Sequence, residues 1–230
     1  MCLLAVFSRA HAAAPLVVAA NRDEWLGRPA SPMEVLQAAA PRILGGRDLI
    51  AGGTWLAVNE HGVVAALTNQ PSLGVRDPSR RSRGELPLRL AAHATAAEAA
   101  EALVKEVRAE EYSPCWILVA DREQTCYLDL TGEGPPRARA LGPGLHILEN
   151  KPLDARSAKV DAVRASLGTA FDAAALQRAL ASHETGACVH AGAYGTRASS
   201  IIFVPAEGRP RFHYTAGSPC MSPLLEAPWS

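Results

Sequence analysis

The chain has 230 residues, of which 48% are hydrophobic and 20% charged, with 23 basic and 23 acidic side chains. That length and apolar share suit one domain with a sizeable core, and residues 1–230 are expected to form it. The even charge balance excludes a broad basic face for nucleic acid or anionic lipid, and "RDPSRRSR" (Arg76 to Arg83) reads as a solvated loop.

In chain order, "CLLAVF" and "LVVAA" (Leu16 to Ala20) are apolar runs joined by a polar turn, which predicts a β-hairpin. No basic n-region precedes them and no apolar run is long enough to span a bilayer, so a cytoplasmic protein without membrane insertion is expected. "NRDE" (Asn21 to Glu24) then puts four polar residues at the end of the second strand, as an exposed turn would. "GGTWLAVNEHGVVAALTN" predicts strands at Thr54–Val58 and Val63–Thr68 around a turn at Asn59–Gly62. "PSLGVRDPSRRSRGELP" is the longest irregular stretch and reads as a surface loop. Thr95 and Glu98 form a capping box ahead of a helix carrying Ala96, Ala100, Leu103, Val104 and Val107 on one face.

"CWILVA" and "TCYLDL" predict another hairpin across "DREQ", and "LHILEN" a further strand. Two helices follow, one marked by Val160, Val163 and Leu167, the other capped by Asp172 and carrying Leu176 and Leu180. "SIIFVP" and "RFHYTA" flank "AEGR" in a last hairpin. Antiparallel hairpins with clustered helices favour a layered α+β sandwich over a doubly wound parallel sheet. Continuous apolar runs imply strands covered on both faces.

Several chemistries are missing from the motifs: no P-loop, no GxGxxG and no GxSxG elbow occurs. Five scattered cysteines (Cys2, Cys115, Cys126, Cys188, Cys220) fit reduced thiols rather than a disulfide framework. His183, Cys188 and His190 could ligate a metal in principle, but their spacing matches no strong zinc pattern, and no metal site is expected.

Cys2 admits two readings. It is a small buried strand residue, or it becomes the N-terminus once Met1 is removed, as happens when the second residue is small. In the second case one residue carries a thiol of pKa about 8.5 and an α-amine of about 7.7–8.0, so the amine can take the thiol's proton. The hairpin would return Asn21, Arg22, Asp23 and Glu24 near this end, with Asp23 against the α-ammonium.

"MCLLAVF", "AANRDEWLGRPA", "LGGRDLIAGGTWLAVNEHGVVAALTNQ", "SRGELP" and "YGTRASSIIFV", in this order, resemble the NRDE family, also called the transport-and-Golgi-organisation protein 2 family. The resemblance implies a four-layer αββα sandwich of the N-terminal-nucleophile (Ntn) hydrolase kind. It also brings a link to haem mobilisation and to lipid or acyl-CoA homeostasis, without an agreed reaction. Likeness to the Ntn cysteine amidases, such as penicillin V acylase and bile salt hydrolase, implies more specific roles.

On that comparison Cys2 is the nucleophile, Asp23 its partner, Asn69 and Asn150 the oxyanion-hole asparagines, and Arg197 the late arginine beside the thiol. Two departures stand out. Ala20 falls where those amidases have arginine, with Arg22 two places later and expected on the other strand face. "ILENKPLDARSAKV" also lacks the "GLSN…PWPKV" form usual in the NRDE family. Asn21, Arg22, Glu24 and Trp55 are the candidate ligand contacts. Structural readings stand beside these: Asn69 as a strand-end cap, Arg197 paired with Asp48, "GGTW" as a turn packing Trp55, and "SRGE" as a helix start rather than a cavity-lining loop.

The expected function is hydrolysis of a non-peptide amide by Cys2, needing no cofactor and taking a small-molecule amide as substrate. The alternative is a non-catalytic carrier of haem or of an acyl-CoA-like hydrophobic ligand. No cysteine precedes a proline, so the short Cys-Pro haem motif is missing.

Overall fold

The apolar runs become strands whose alternate side chains enter two different cores. In the computed structural model, which describes residues 2–71, 77–168 and 171–229, two seven-stranded sheets stack face to face. The first contains β1 (Leu3–Ser8), β2 (Leu16–Trp25), β10 (Gly144–Leu148), β11 (His190–Ala191), β12 (Tyr194–Val204), β13 (Arg211–Thr215) and β14 (Leu225–Ala227). Its order is β10-β1-β2-β12-β13-β14, with β11 beside β12. The second runs in chain order through β3 (Ala30–Gln37), β4 (Ile43–Asp48), β5 (Leu56–Asn59), β6 (Val64–Asn69), β7 (Cys115–Ala120), β8 (Thr125–Leu130) and β9 (Arg137–Leu141). Each ladder in both sheets is antiparallel.

Helices α1 (Leu86–Ala91) and α2 (Ala96–Glu106) cover the outer face of the second sheet, and α3 (Ala158–Leu167) and α4 (Ala173–Leu180) that of the first. Adjacent residues of β7 show the division: Ile117 enters the core under α1 and α2, while Leu118 enters the core between the sheets. Each such side chain contributes roughly 1.5–3 kcal/mol by leaving water. The result is the expected four-layer αββα sandwich, held by three large apolar cores. Thr95 and Asp172 accept the predicted capping bonds from Glu98 N (3.1 Å) and Ala175 N (2.8 Å). No helix among the described residues is long and apolar enough to cross a membrane.

The structure departs from the sequence reading in three places. "NRDE" is strand, not turn: β12 pairs with β2 along its whole length, from Val204 opposite Leu16 to Tyr194 opposite Trp25. That pairing supplies the backbone bonds these polar residues would otherwise find in water. Strands β3 and β4 were not anticipated, because Pro32 interrupts the pattern of β3. As an edge strand β3 tolerates proline, and its register slips between Ser31 and Met33. Exposed β9 lacks an apolar face for the same reason: it is the other edge. Of the loop "PSLGVRDPSRRSRGELP", residues 72–76 lie outside the described residues, and Arg81 bridges to Tyr112.

Candidate functional site

Register builds the site. In the β1–β2 ladder Leu3 faces Asn21, and in the β1–β10 ladder Leu4 faces Leu148. One further step along the first ladder brings Cys2 level with Arg22, and two further steps along the second bring it level with Asn150. Leu4 and Ala20 enter the inter-sheet core, so by alternation Cys2 and Arg22 open on the same inter-sheet side. Thr68, at the end of β6, donates from its hydroxyl to the Glu149 carbonyl at 2.8 Å and stitches the second sheet to this corner.

The Cys2 nitrogen donates to Asn150 Oδ1 at 2.6 Å, and Asn150 Nδ2 donates to the Asn69 carbonyl at 2.6 Å. Cys2 Sγ is half-buried and makes a long contact, 3.9 Å, to the Asp23 carbonyl. The Asp23 carboxylate is buried and accepts from Thr196 Oγ1 at 2.6 Å. Burial, and next the Asp23 charge, push the Cys2 thiol above its usual range, while the Asp23 backbone and the Arg22 charge act the other way. Burial also raises Asp23, against the Thr196 hydrogen bond.

A cavity of about 320 Å³ opens at this end of the sandwich. Cys2, Arg22, Trp55 and Asn69 line it, with Glu24 and Trp25 at the end of β2. Arg22 is 5% exposed and reaches across to the second sheet, where its Nη2 lies 3.1 Å from Asp48 Oδ2. Its guanidinium carbon sits 4.4 Å above the Trp55 ring. Asp48 also accepts from Arg28 Nε at 2.6 Å and from the Ala51 amide at 2.9 Å.

"GGTW" and "SRGE" meet here backbone to backbone. Thr54 N donates to the Gly84 carbonyl at 2.7 Å. Ser82 caps a 3₁₀ turn over Arg83–Glu85, and Ser82, Arg83 and Gly84 also line the cavity, so "SRGE" is helix start and lining loop at once. A Cβ on Gly53 would fall 2.4 Å from the Gly84 carbonyl carbon. Gly53→Ala is therefore expected to destabilise the protein by about 1–3 kcal/mol, read as a lowered Tm in thermal denaturation. An unchanged Tm would show that the two loops do not press together.

The sequence-predicted residues do not all converge. Cys2, Asp23, Asn69, Arg22, Glu24 and Trp55 line the cavity. Asn150 is not among the lining residues; its side-chain oxygen accepts from the Cys2 nitrogen. Asn69 Oδ1 is buried and has no hydrogen-bond partner among the described residues. Asn21 faces α4 instead: its Nδ2 donates to the Leu180 and Ala187 carbonyls at 2.9 and 2.8 Å, so it fastens the outer layer and touches no ligand space.

Arg197 is the extra residue where the β2–β12 register slips between Thr196 and Ala198, and its Nη1 donates to the Arg28 carbonyl. It does not line the cavity, and Asp48 is paired with Arg22 and Arg28 rather than with Arg197. The guanidinium acting on the thiol is that of Arg22. Arg22 shares a strand face with Ala20, because residues two apart in a strand point the same way; the expected opposite face is corrected.

A second cluster lies behind Thr196. His183, Cys188, His190 and Cys220 offer ligand atoms all within 4.8 Å of one another. Three of these residues were visible as a weak pattern. Cys220 was not, because a chain excursion through β12 and β13 separates it from them.

Residues 1–185 match the family described as Transport and Golgi organisation 2. The chain is 30% identical over 242 residues to the bovine (Bos taurus) Transport and Golgi organization protein 2 homolog, covering 86% of this chain and 84% of that protein. Among solved structures, it resembles the Caenorhabditis elegans N-acylethanolamine-hydrolyzing acid amidase ortholog with a TM-score of 0.63 and 11% identity, over 88% and 92% of the two chains. It also resembles the C2A mutant of conjugated bile acid hydrolase from Clostridium perfringens, with a TM-score of 0.56 and 10% identity over 100% and 97%. Identities this low carry the fold alone, which is that of the Ntn hydrolases. The match over most of its length makes the chain a member of the Transport and Golgi organisation 2 family.

Proposed function

We propose that the protein is an N-terminal-cysteine hydrolase acting on a non-peptide C–N amide bond. The observation that carries this reading is the Cys2 nitrogen, held by Asn150 at the edge of a cavity that Cys2 itself lines. That nitrogen, an amide while Met1 is attached, stands where the free α-amine would be after Met1 removal. The amine takes the thiol proton as Sγ bonds to the substrate carbonyl carbon. Asn69 and a backbone N–H hold the oxyanion. The C–N bond breaks, the proton passes to the leaving amine, and water cleaves the thioester to a carboxylic acid and the restored thiol. No cofactor enters these steps.

The rim adds a substrate preference. Trp25, Leu26, Leu49 and Ile50 are 61%, 47%, 55% and 64% exposed; Trp25 lines the cavity, and the other three adjoin the lining residues Trp25, Asp48 and Ala51 in sequence. An amide with an apolar acyl arm fits such a rim. Two measurements on the native protein test the proposal. Its intact mass is expected to be short by one methionine residue, and a β-lactone acylating probe is expected to label Cys2. Retained Met1, or labelling that ignores Cys2, would overturn it.

The same apolar rim favours a second reading, a carrier that binds haem or an acyl-CoA-like ligand without turnover. Cys2 would then be the residue that holds the haem iron from the cavity wall. Haem titration tests the haem form of this reading: it requires a Soret shift that disappears in Cys2→Ala, and a shift indifferent to that substitution counts against it.

A further inference from the structure

The cluster behind Thr196 has the composition and the edge lengths of a metal site. Zinc bound by thiolates at about 2.3 Å and by imidazoles at about 2.0–2.1 Å, in tetrahedral geometry, sets S···S near 3.8 Å and S···N near 3.6 Å. Cys188 Sγ lies 3.6 Å from Cys220 Sγ and 3.7 Å from His190 Nε2, and His190 Nε2 lies 3.2 Å from Cys220 Sγ. Three edges of the tetrahedron are thus already near their ligated lengths. The His183 ring lies beside that of His190, with centroids 5.1 Å apart and planes tilted by 36°, and this exposed histidine offers a nitrogen within 4.8 Å of the other three ligand atoms.

Local structure explains the convergence. After α4 the chain turns tightly: Gly186, at φ +70°, donates to the His183 carbonyl at 3.1 Å, and Cys188 N donates to the Ser182 carbonyl at 3.0 Å. This brings His183 and Cys188 to one side, with His190 two residues on in β11. Cys220 arrives on a second turn, closed by the Met221 and Ser222 amides on the Ser218 carbonyl at 3.0 and 2.9 Å. Gln177 Nε2 of α4 reaches the Ser222 carbonyl at 3.1 Å and ties this turn to the helix.

We propose that His183, Cys188, His190 and Cys220 form a Cys₂His₂ zinc site that clamps the α4–β11 turn to the β13–β14 turn. Four protein ligands close the coordination sphere, so the zinc is structural rather than catalytic. Thiolate and imidazole ligands in tetrahedral array select zinc over hard cations. On binding, the two thiols lose their protons to solvent and the two thiolates balance the ion's charge.

Both clamped turns grip Thr196. Its Oγ1 accepts from Val189 N at 2.9 Å, and its carbonyl accepts from Ser218 Oγ at 2.7 Å. Thr196 is also the residue that donates to Asp23. The zinc therefore secures, from behind, the threonine that orients the carboxylate beside Cys2. The site stands independently of whether Cys2 performs catalysis.

The test uses the full-length reduced protein. Elemental analysis after anaerobic loading and desalting is expected to give one zinc per chain. Cobalt(II) in place of zinc is expected to give tetrahedral d–d bands with a thiolate charge-transfer band. Cys2→Ala is expected to keep the full metal content. Cys220→Ser, a change at an exposed turn position that leaves the cores untouched, is expected to lose the charge-transfer intensity and most of the zinc. Removing the metal from the native protein is expected to speed amide exchange in residues 182–190 and 218–222. Sub-stoichiometric zinc in the folded protein, a cobalt spectrum unchanged by Cys220→Ser, or a native Cys188–Cys220 disulfide would each overturn the proposal.

Discussion

Cys2→Ala is expected to reduce amide turnover by on the order of 10⁶-fold and to abolish covalent labelling. Alanine keeps the α-amine and still permits Met1 removal, so only the sulfur is lost. The half-buried thiol makes a long contact to the Asp23 carbonyl, and the fold is expected to survive its deletion. Asn69→Ala serves as the graded comparison. If its amide holds the oxyanion, kcat falls by about 10²–10³-fold while acylation of Cys2 remains detectable. Turnover by Cys2→Ala equal to that of the native protein would sink the hydrolase reading outright.

Asp48→Asn is expected to be the most destabilising of the site substitutions. It leaves Arg22, 5% exposed, without its closest carboxylate. Breaking a buried pair from one side costs about 3–5 kcal/mol. Glu24 remains 3.7 Å away, and Trp55 lies beneath the guanidinium, so a value near 3 kcal/mol is expected. For a chain of this size that lowers Tm by about 6–12 °C.

The pH dependence carries a definite sign. Burial works to raise the Asp48 carboxyl, but the Arg28 and Ala51 hydrogen bonds and the charges of Arg28 and Arg22 outweigh it and hold it below the usual range. A carboxylate depressed by folding contributes stability above its unfolded pKa of about 3.9, and that stability is lost as pH falls through the folded value. The gap between native and Asp48→Asn proteins is therefore expected to be full at neutral pH and to close in acid. A gap that persists unchanged into acid would assign the loss to packing rather than charge.

How much of the site could be read without coordinates depends on how local each signal is. Cys2 was singled out by its position behind the initiator methionine, and Asp23 and Asn69 by the resemblance that the short motifs around them carry; that these three line one cavity needed the fold. Thr95 and Asp172 were legible as helix caps, because a cap is settled within three residues of chain. The apolar runs likewise foretold a sandwich with covered sheets, since burial on both faces leaves its mark on composition alone.

"NRDE" was misread because a polar run at a strand's end looks like a turn until β12 is known to pair with it. Asn21 and Arg22 are neighbours of similar polarity, yet one fastens a helix layer and the other lines the cavity. Alternation across the pleat divides them, and only the register tells which goes where. Arg197 turns away because of one slipped register step opposite β2, a property of two strands far apart in the chain. Cys220 joins His183, Cys188 and His190 only after the chain has traversed two strands of the first sheet. Helix caps, strand runs and the thiol at position 2 follow from local chemistry. Which side chains meet across the sheets follows from pairing between distant segments, and only the folded chain sets that.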